Sequence, residues 1–561
     1  MGRRRGADAR PAGSVPATTA VRDAPPIVLA RGRPVTRVYP SSRPAPTAAA
    51  GAAMDDEDRE RLTLRCRRLN GAPFRRRGAD YVLCWLQQAL RGRANPAIDA
   101  AVALGNRLGL PVVVYHGLGR HYPHASVRLH RFILEASHDL ERDVVDRGLR
   151  FLRHVERDGK LEKGLVYRLA ARAGALVTDD QAAFVGRWQA ETVARKADLA
   201  VIAVDANRLV PELAVGEVCR TTSAFRARVN AERERWLDER LDLEGAHAPF
   251  EGELATSHDA LDGSDDEGGD RGGDGADASG PDAAIDALVR AAGVDPTLPT
   301  VRWCAGGRRA AEAHLVWAAE EIVPRYAARR NDPSVVATTH LSPWLHFGVL
   351  GPHDVMRAAD AAEVDSRNLW KFGDELLVWR EYFHHLAHHA DDPTAYANLP
   401  PAARATLDAH RRDPRPRLYP LEALIHGETD DETWNAAERQ FLADGWQHNN
   451  LRMYWGKKLI EWTASPEEAW ATACYLNDRL SLDGRDPSTY GNLRWCFGAA
   501  RGASEAPVYG TVARRGDGAI RRRVGDPWIR EAAARPVPRV SVPERVTLEA
   551  RPQASGGGRG G

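Results

Sequence analysis

The run FGDELLVWREY carries Glu375 and Trp379 four residues apart. On a helix that spacing puts both on one face, so a carboxylate that can form hydrogen bonds lies beside an indole that can stack. Taken alone, the pair equally fits a surface Glu above a core Trp. Further on, DGWQHNNLRMYWGKKLIEW spaces Arg452 and Trp455 three apart and Trp455 and Trp462 seven apart, so one helical stripe carries a guanidinium and two indoles. The next segment, CYLNDRLSLDGRDP, gathers Asn477, Asp478, Asp483, Arg485 and Asp486 within ten residues at a helix end. By itself this is a polar turn; beside an aromatic stripe it could line a site for a polar, flat ligand.

The elements that must position these residues are helices. Beyond residue 300, helical periodicity covers 308–328, 367–390, 402–412, 433–462 and 466–480, with no convincing strand between them, which predicts an all-α half. The earlier half reads differently. YVLCWL from Tyr81, a helical NPAIDAAVALGNRLG and the β-rich PVVVYH form a strand, helix, strand unit. The pattern continues with helices over 128–158 and 161–173, the strand ALVTD at 175–179, a further helix, and LAVIAVD at 199–205. Such alternation predicts a parallel sheet with helices on both faces. No GxGxxG follows any strand, which argues against an ordinary dinucleotide dehydrogenase.

The chain of 561 residues is long enough for two to four domains at about 150 residues each. Apolar residues make up 43% and charged residues 28%, and the mean hydropathy is −0.45, within the range of folded soluble proteins. The net charge of +1 advertises no global polyanion field, so a nucleic-acid site would have to be a local patch. Only six basic residues are lysines, which reflects coding bias rather than function. Six scattered cysteines without a CxxC pair argue against a zinc site and against a disulfide framework, and favour a reducing cytoplasm.

Residues 1–75 read as a disordered Arg-, Ala- and Pro-rich arm, with Met54 as an alternative start. Residues 76–212 form the α/β domain, and 213–300 an interdomain linker. Within that linker, 251–282 carries eleven acids against one Arg and many glycines, the composition of a solvated insertion. Residues 301–510 form the all-α domain. Residues 511–561 read as a loosely structured basic tail, with ten arginines against five acids over 514–551.

Taken in order, THLSPWLHFG (339–348), DELLVWRE (374–381), WNAAE (434–438), LRMYWGKKLIEW (451–462) and YLNDRLSLDGRDP (475–487) resemble the DNA photolyase and cryptochrome superfamily. The resemblance spans about 78–510 and is closest to the class II cyclobutane pyrimidine dimer photolyases; VVVYH, LVTDD and VDANRLVP look like that family's antenna-domain strands. It implies a Rossmann-like antenna domain followed by a helical domain holding U-shaped FAD, active in its reduced form. It also implies a possible second chromophore of deazaflavin or folate type. Thr338, Thr339, His340, Leu341 and Ser342 would serve the phosphates together with Tyr326, and Arg452 and Asp483 would be an ion pair beside the flavin ring, with Asn477 facing N5. Trp434 and Trp455 match the electron-transfer pair, with Trp462 accessory; Glu375, Trp379 and Trp495 match the pocket for a flipped-out dimer, Glu375 bearing or sharing a proton.

The activity implied is light-dependent splitting of pyrimidine dimers in UV-damaged DNA, by a cytoplasmic, nucleoid-associated monomer and with no membrane partner. The alternative is a cryptochrome-like blue-light receptor without repair, motivated by departures from the class II pattern. Ser488 and Thr489 stand where class II enzymes usually read Asn-Gly, and CFGAARGAS follows Trp495 in place of a Gly-rich His-Asp-Trp run. At the amino end, Gln87, Gln88 and Arg91 keep only the skeleton of the antenna-loop segment.

Overall fold

The computed structural model describes residues 54–237, 239, 242–261, 280–499, 502–544 and 546. Most of the expected arm, the centre of the acidic insertion and the end of the tail lie outside these residues.

YVLCWL forms the central strand because every side chain in it is apolar enough to be covered on both faces. All six residues of Tyr81–Leu86 (β2) are buried. Alternate residues feed opposite cores: Val82, Cys84 and Leu86 join one, Tyr81, Leu83 and Trp85 the other. With Cys66–Arg68 (β1), Val112–Leu118 (β3), Arg150–Val155 (β4), Ala173–Asp179 (β5) and Val201–Val204 (β6), the sheet runs β1-β6-β5-β2-β3-β4. The pairings among β2 to β6 are parallel, in register Cys84 with Val114 and with Val177. Helices Pro96–Leu108, Val127–Asp146, Leu165–Ala171 and Phe184–Lys196 alternate with the strands.

The sheet departs from expectation at both edges. β1 pairs antiparallel with β6, so the sheet is mixed, and it is preceded by the helix Asp56–Arg65; both elements fall in the segment expected to be disordered. Three residues are too few to show a period, and the helix is highly charged. The segment is tied down by Arg65, which is 1% exposed, donates through Nε to both carboxylate oxygens of Glu239 at 3.0 and 2.8 Å, and lies 4.8 Å from the Trp236 ring. At the other edge, the helix expected over 128–158 ends at Asp146, and RFLRHV forms β4 instead. Its charges hid it: Arg153 is buried because Ser137 and Glu141 accept from its guanidinium at 2.9 and 2.7 Å.

The expected linker is also more ordered than its composition suggests. It contains the helices Thr222–Leu237 and Pro281–Ala292, and its 258–259 segment covers the β4 edge. Asp259 N donates to Arg153 O at 3.0 Å, and Val155 N donates to the Asp259 carboxylate at 2.8 Å.

The helical half has the expected class with more breaks. The long helix expected over 433–462 is two, Glu432–Asp444 and Asn449–Trp462, because Gly445 takes a left-handed φ of 61°. Between Ser366–Gly373 and Glu381–His388 the chain widens into a π-helical segment, Asp374–Arg380, a form frequent at functional sites. The basic tail is corrected as well: Asp517–Ala534 is a kinked helix that buries Ile520, Val524, Ile529 and Ala532 and caps Arg439 through the Arg535 carbonyl at 2.9 Å. The six cysteines are free, and no helix among the described residues is long and apolar enough to cross a membrane.

Candidate functional site

The π-helical segment carries Glu375 and Trp379, and Trp495 follows directly on the helix Pro487–Arg494. Trp379 and Trp495 come together edge to face, ring centroids 5.3 Å apart at 79°, and both are half-buried rather than sealed in the core. Two large rings left partly open to solvent offer a surface on which a flat ligand can stack. The Glu375 Oε1 accepts from Lys371 Nζ at 2.7 Å and Arg330 Nη1 at 3.0 Å, so this oxygen is shared by two cations. Tyr326 lies close by, edge-on to Phe372 at 5.3 Å; burial, then the Glu375 charge, push its hydroxyl well above the usual phenol range.

The three tryptophans expected to relay electrons form one packed cluster. Trp434 and Trp455 are fully buried, parallel to within 3° at 6.3 Å, and Trp434 Nε1 donates to the Trp455 carbonyl at 3.1 Å. Trp462 meets Trp434 at 5.2 Å and the half-buried Tyr419 at 5.1 Å, so aromatic contacts run outward from the core. Trp455 Nε1 donates to Glu438. Burial holds the Glu438 carboxyl well above the usual carboxylate range, because the Trp455 hydrogen bond opposes desolvation only in part.

Among the residues expected to hold FAD and their neighbours, Thr338 Oγ1, Gln447 Oε1, Arg452 Nε and Asn477 Oδ1 are buried without a hydrogen-bond partner, as are other groups elsewhere in the described residues. An orphaned buried polar group costs about 1–3 kcal/mol, and each of these four is one that a polar ligand such as FAD would satisfy. The Thr339 carbonyl is taken by His314 Nε2 at 2.8 Å. His340 adopts a left-handed φ of 52° and lies against Trp446 at 3.8 Å, Leu341 is buried, and Ser342 begins a short helix, Ser342–His346. The expected Arg452–Asp483 ion pair is not formed. Arg452 Nη2 reaches the Gln447 carbonyl at 3.5 Å, and Asp483 accepts from the Ser481 hydroxyl. Asn477 Nδ2 donates to Thr489 Oγ1 at 3.1 Å.

In the antenna-domain loop, the N–H groups of Gln87, Gln88 and Ala89 all donate to the Asp179 carboxylate, at 2.8, 2.8 and 3.0 Å. Arg91 donates to the carbonyls of Gly348 and Ala206 at 2.9 and 2.6 Å, tying the sheet to the helical half. These backbone N–H groups are therefore occupied, whereas the Gln87 side-chain Oε1 is buried without a partner.

Sequence reading missed Lys371, Arg330, Gln447 and Glu438, and singled out Thr489 only as a departure from the class II pattern. Lys371 was findable, lying four residues before Glu375, and Gln447 lies five before Arg452. Arg330 comes from a distant segment, and only the fold brings it in.

Comparison with known proteins shows what the chain as a whole is similar to. The family model for DNA photolyase matches residues 82–245. The chain is 30% identical over 471 residues to a deoxyribodipyrimidine photo-lyase from Methanothermobacter thermautotrophicus, covering 82% of this chain and 95% of that one. It is 29% identical over 442 residues to a deoxyribodipyrimidine photo-lyase of Arabidopsis thaliana, covering 77% and 84%. In fold it is similar to a class III photolyase from Agrobacterium tumefaciens, with a TM-score of 0.56, 18% identity and coverage of 81% and 86%. With near-complete coverage of a relative at this identity, over both the sheet and the helical half, the chain belongs to the DNA photolyase family.

Proposed function

We propose that the chain is a light-dependent DNA repair enzyme, a deoxyribodipyrimidine photo-lyase of the class II kind, acting on cyclobutane pyrimidine dimers in UV-damaged DNA. The observation that carries this reading is the half-buried Trp379–Trp495 pair, edge to face at 5.3 Å, in the same helical half as the buried tryptophan relay. Bound in its reduced form, FAD supplies, on absorbing blue or near-ultraviolet light, one electron that opens the cyclobutane ring and is returned when the two carbon–carbon bonds have broken.

The chain's own residues bind and orient. Trp379 and Trp495 stack on the extruded pyrimidines, whose unpairing is least costly at a damaged site. Glu375, held by Lys371 and Arg330, gives the pocket a fixed acceptor flanked by two donors at the pyrimidine edge. Thr338, Gln447, Arg452 and Asn477 present the unpaired groups that hold FAD. Trp455, Trp434 and Trp462 pass electrons inward to keep it reduced.

A pure light sensor has no use for a solvent-open tryptophan pair, which favours repair over the receptor alternative. Binding to a short duplex with one thymine dimer, compared with the same duplex undamaged, tests this. The damaged duplex should bind at least tenfold tighter; equal binding would contradict the reading.

A further inference from the structure

Asn477 is fully buried on the helix Pro466–Leu480, and the protein satisfies only one end of its amide. Nδ2 donates to Thr489 Oγ1 at 3.1 Å, while Oδ1 has no partner. Thr489 is itself 2% exposed, and its hydroxyl lies 3.3 Å from the Asp483 carbonyl. A hydroxyl has one proton; with that proton directed to Asp483, the oxygen can only accept from Asn477. The amide is thereby fixed with its NH₂ toward Thr489 and its carbonyl turned away.

The turn that leads into the helix bearing Thr489 is pressed against the helix of Asn477. A Cβ at Gly484 would meet the Asn477 carbonyl oxygen at 2.7 Å and the Asp478 Cα at 2.8 Å, so this close approach requires glycine. Arg485 N and Tyr490 Oη both donate to the Asp478 carboxylate, at 2.8 and 3.0 Å, pinning the loop on either side of Thr489.

We infer that Thr489 is a positioning residue that holds Asn477 with its carbonyl presented, so that the site favours a ring offering an N–H at that point over the same ring with a bare nitrogen. This rests on the proposed reading that the chain holds FAD, with Asn477 facing N5 as the family resemblance implies, since reduced flavin carries a hydrogen on N5 and oxidised flavin does not. An acceptor locked toward N5 pairs with the first and opposes the second. The residue type belongs to this chain: the class II pattern it resembles has glycine here, which has no hydroxyl.

The test compares the parent with Thr489→Val, which keeps the shape and loses the hydroxyl, and with Thr489→Ser, which keeps the hydroxyl. Thr489→Ala removes the same group if valine is not accommodated. FAD content and Tm are measured first, then the flavin midpoint potential and the rate of re-oxidation by air in the dark. The valine or alanine protein should bind FAD, and its preference for reduced over oxidised flavin should fall by roughly three- to tenfold, the ratio one hydrogen bond supplies. It should re-oxidise correspondingly faster, with serine within about twofold of the parent. A hydroxyl-free variant that binds FAD and matches the parent in both readings overturns the role of Thr489 and leaves the photolyase reading standing. A parent that takes up no FAD overturns both.

Discussion

The indole planes of Trp434 and Trp455 lie within 3° of parallel, 6.3 Å apart, and the first donates its N–H to the backbone of the second. Both rings are fully buried, so neither can reorient, and the spacing between them is set by the packing of Glu432–Asp444 against Asn449–Trp462. A fixed separation of this size suits electron hopping.

Trp455→Phe should block that path while keeping most of the packing. Light-driven reduction of oxidised flavin in the presence of an external donor should slow by at least about tenfold, whereas repair by chemically reduced protein should stay within about twofold of the parent. Equal loss of both would mean that Trp455 serves the pocket and not the relay.

Trp379→Ala and Trp495→Ala should each weaken dimer binding. Stacking on a base is worth about 1–3 kcal/mol, which corresponds to roughly 5- to 150-fold in the Kd for damaged duplex. Binding to undamaged duplex, governed by phosphate contacts, should change little, and its salt dependence should be kept. Titrations with both duplexes in parallel check this.

Glu375→Ala should lower the repair rate at least tenfold. The ion pairs it loses are partly exposed and worth about 0–1 kcal/mol each, so the melting temperature should move by only a few degrees. Lys371→Ala should cost less repair, because Arg330 still holds the carboxylate. Repair by the Glu375→Ala protein at the parent's rate would remove the residue from the pocket.

Glu381, fully buried, accepts from Leu209 N at 2.6 Å, and burial lifts its carboxyl from 4.5 to about 7. Between those values the folded protein keeps a proton that the unfolded chain has released, so stability falls as pH rises through this window and stays lowered above it. Glu381→Gln should remove that contribution, gaining up to about 3 kcal/mol at pH 8 and nothing near pH 4.5. Asp478, lifted by burial to about 6, acts in the same direction, so the slope should flatten without vanishing. Melting curves from pH 5 to 8 provide the measurement.

How far the sequence reveals this molecule depends on how local each feature is. β2 and β5 were readable because YVLCWL is an uninterrupted apolar run and ALVTD a short β-prone one, whereas β4 was not, because Arg150, Arg153 and His154 make it resemble the preceding helix. The buried charge of Arg153 is matched by Glu141 and by residues of the expected linker, which no local pattern can show. Trp379, Trp455 and Trp462 were identifiable by type and spacing, Trp434 and Trp495 only through the family resemblance, and the fold does bring Trp434, Trp455 and Trp462 into one cluster and Trp379 against Trp495. Their polar partners were not identifiable. Arg452 and Asp483 find other groups, Glu375 is taken by two cations, and the hold of Thr489 on Asn477 depends on a loop folding back onto its own helix.

The central claim, repair driven by light, is tested most directly on UV-irradiated oligothymidylate mixed with the reduced, FAD-loaded protein, half under blue light and half in darkness. Dimers should disappear in the lit sample alone, with restored thymines as the only product and no net oxidation of the protein. Flavin that is bound and photoreduced while the dimers persist would contradict the account and give precedence to a light sensor.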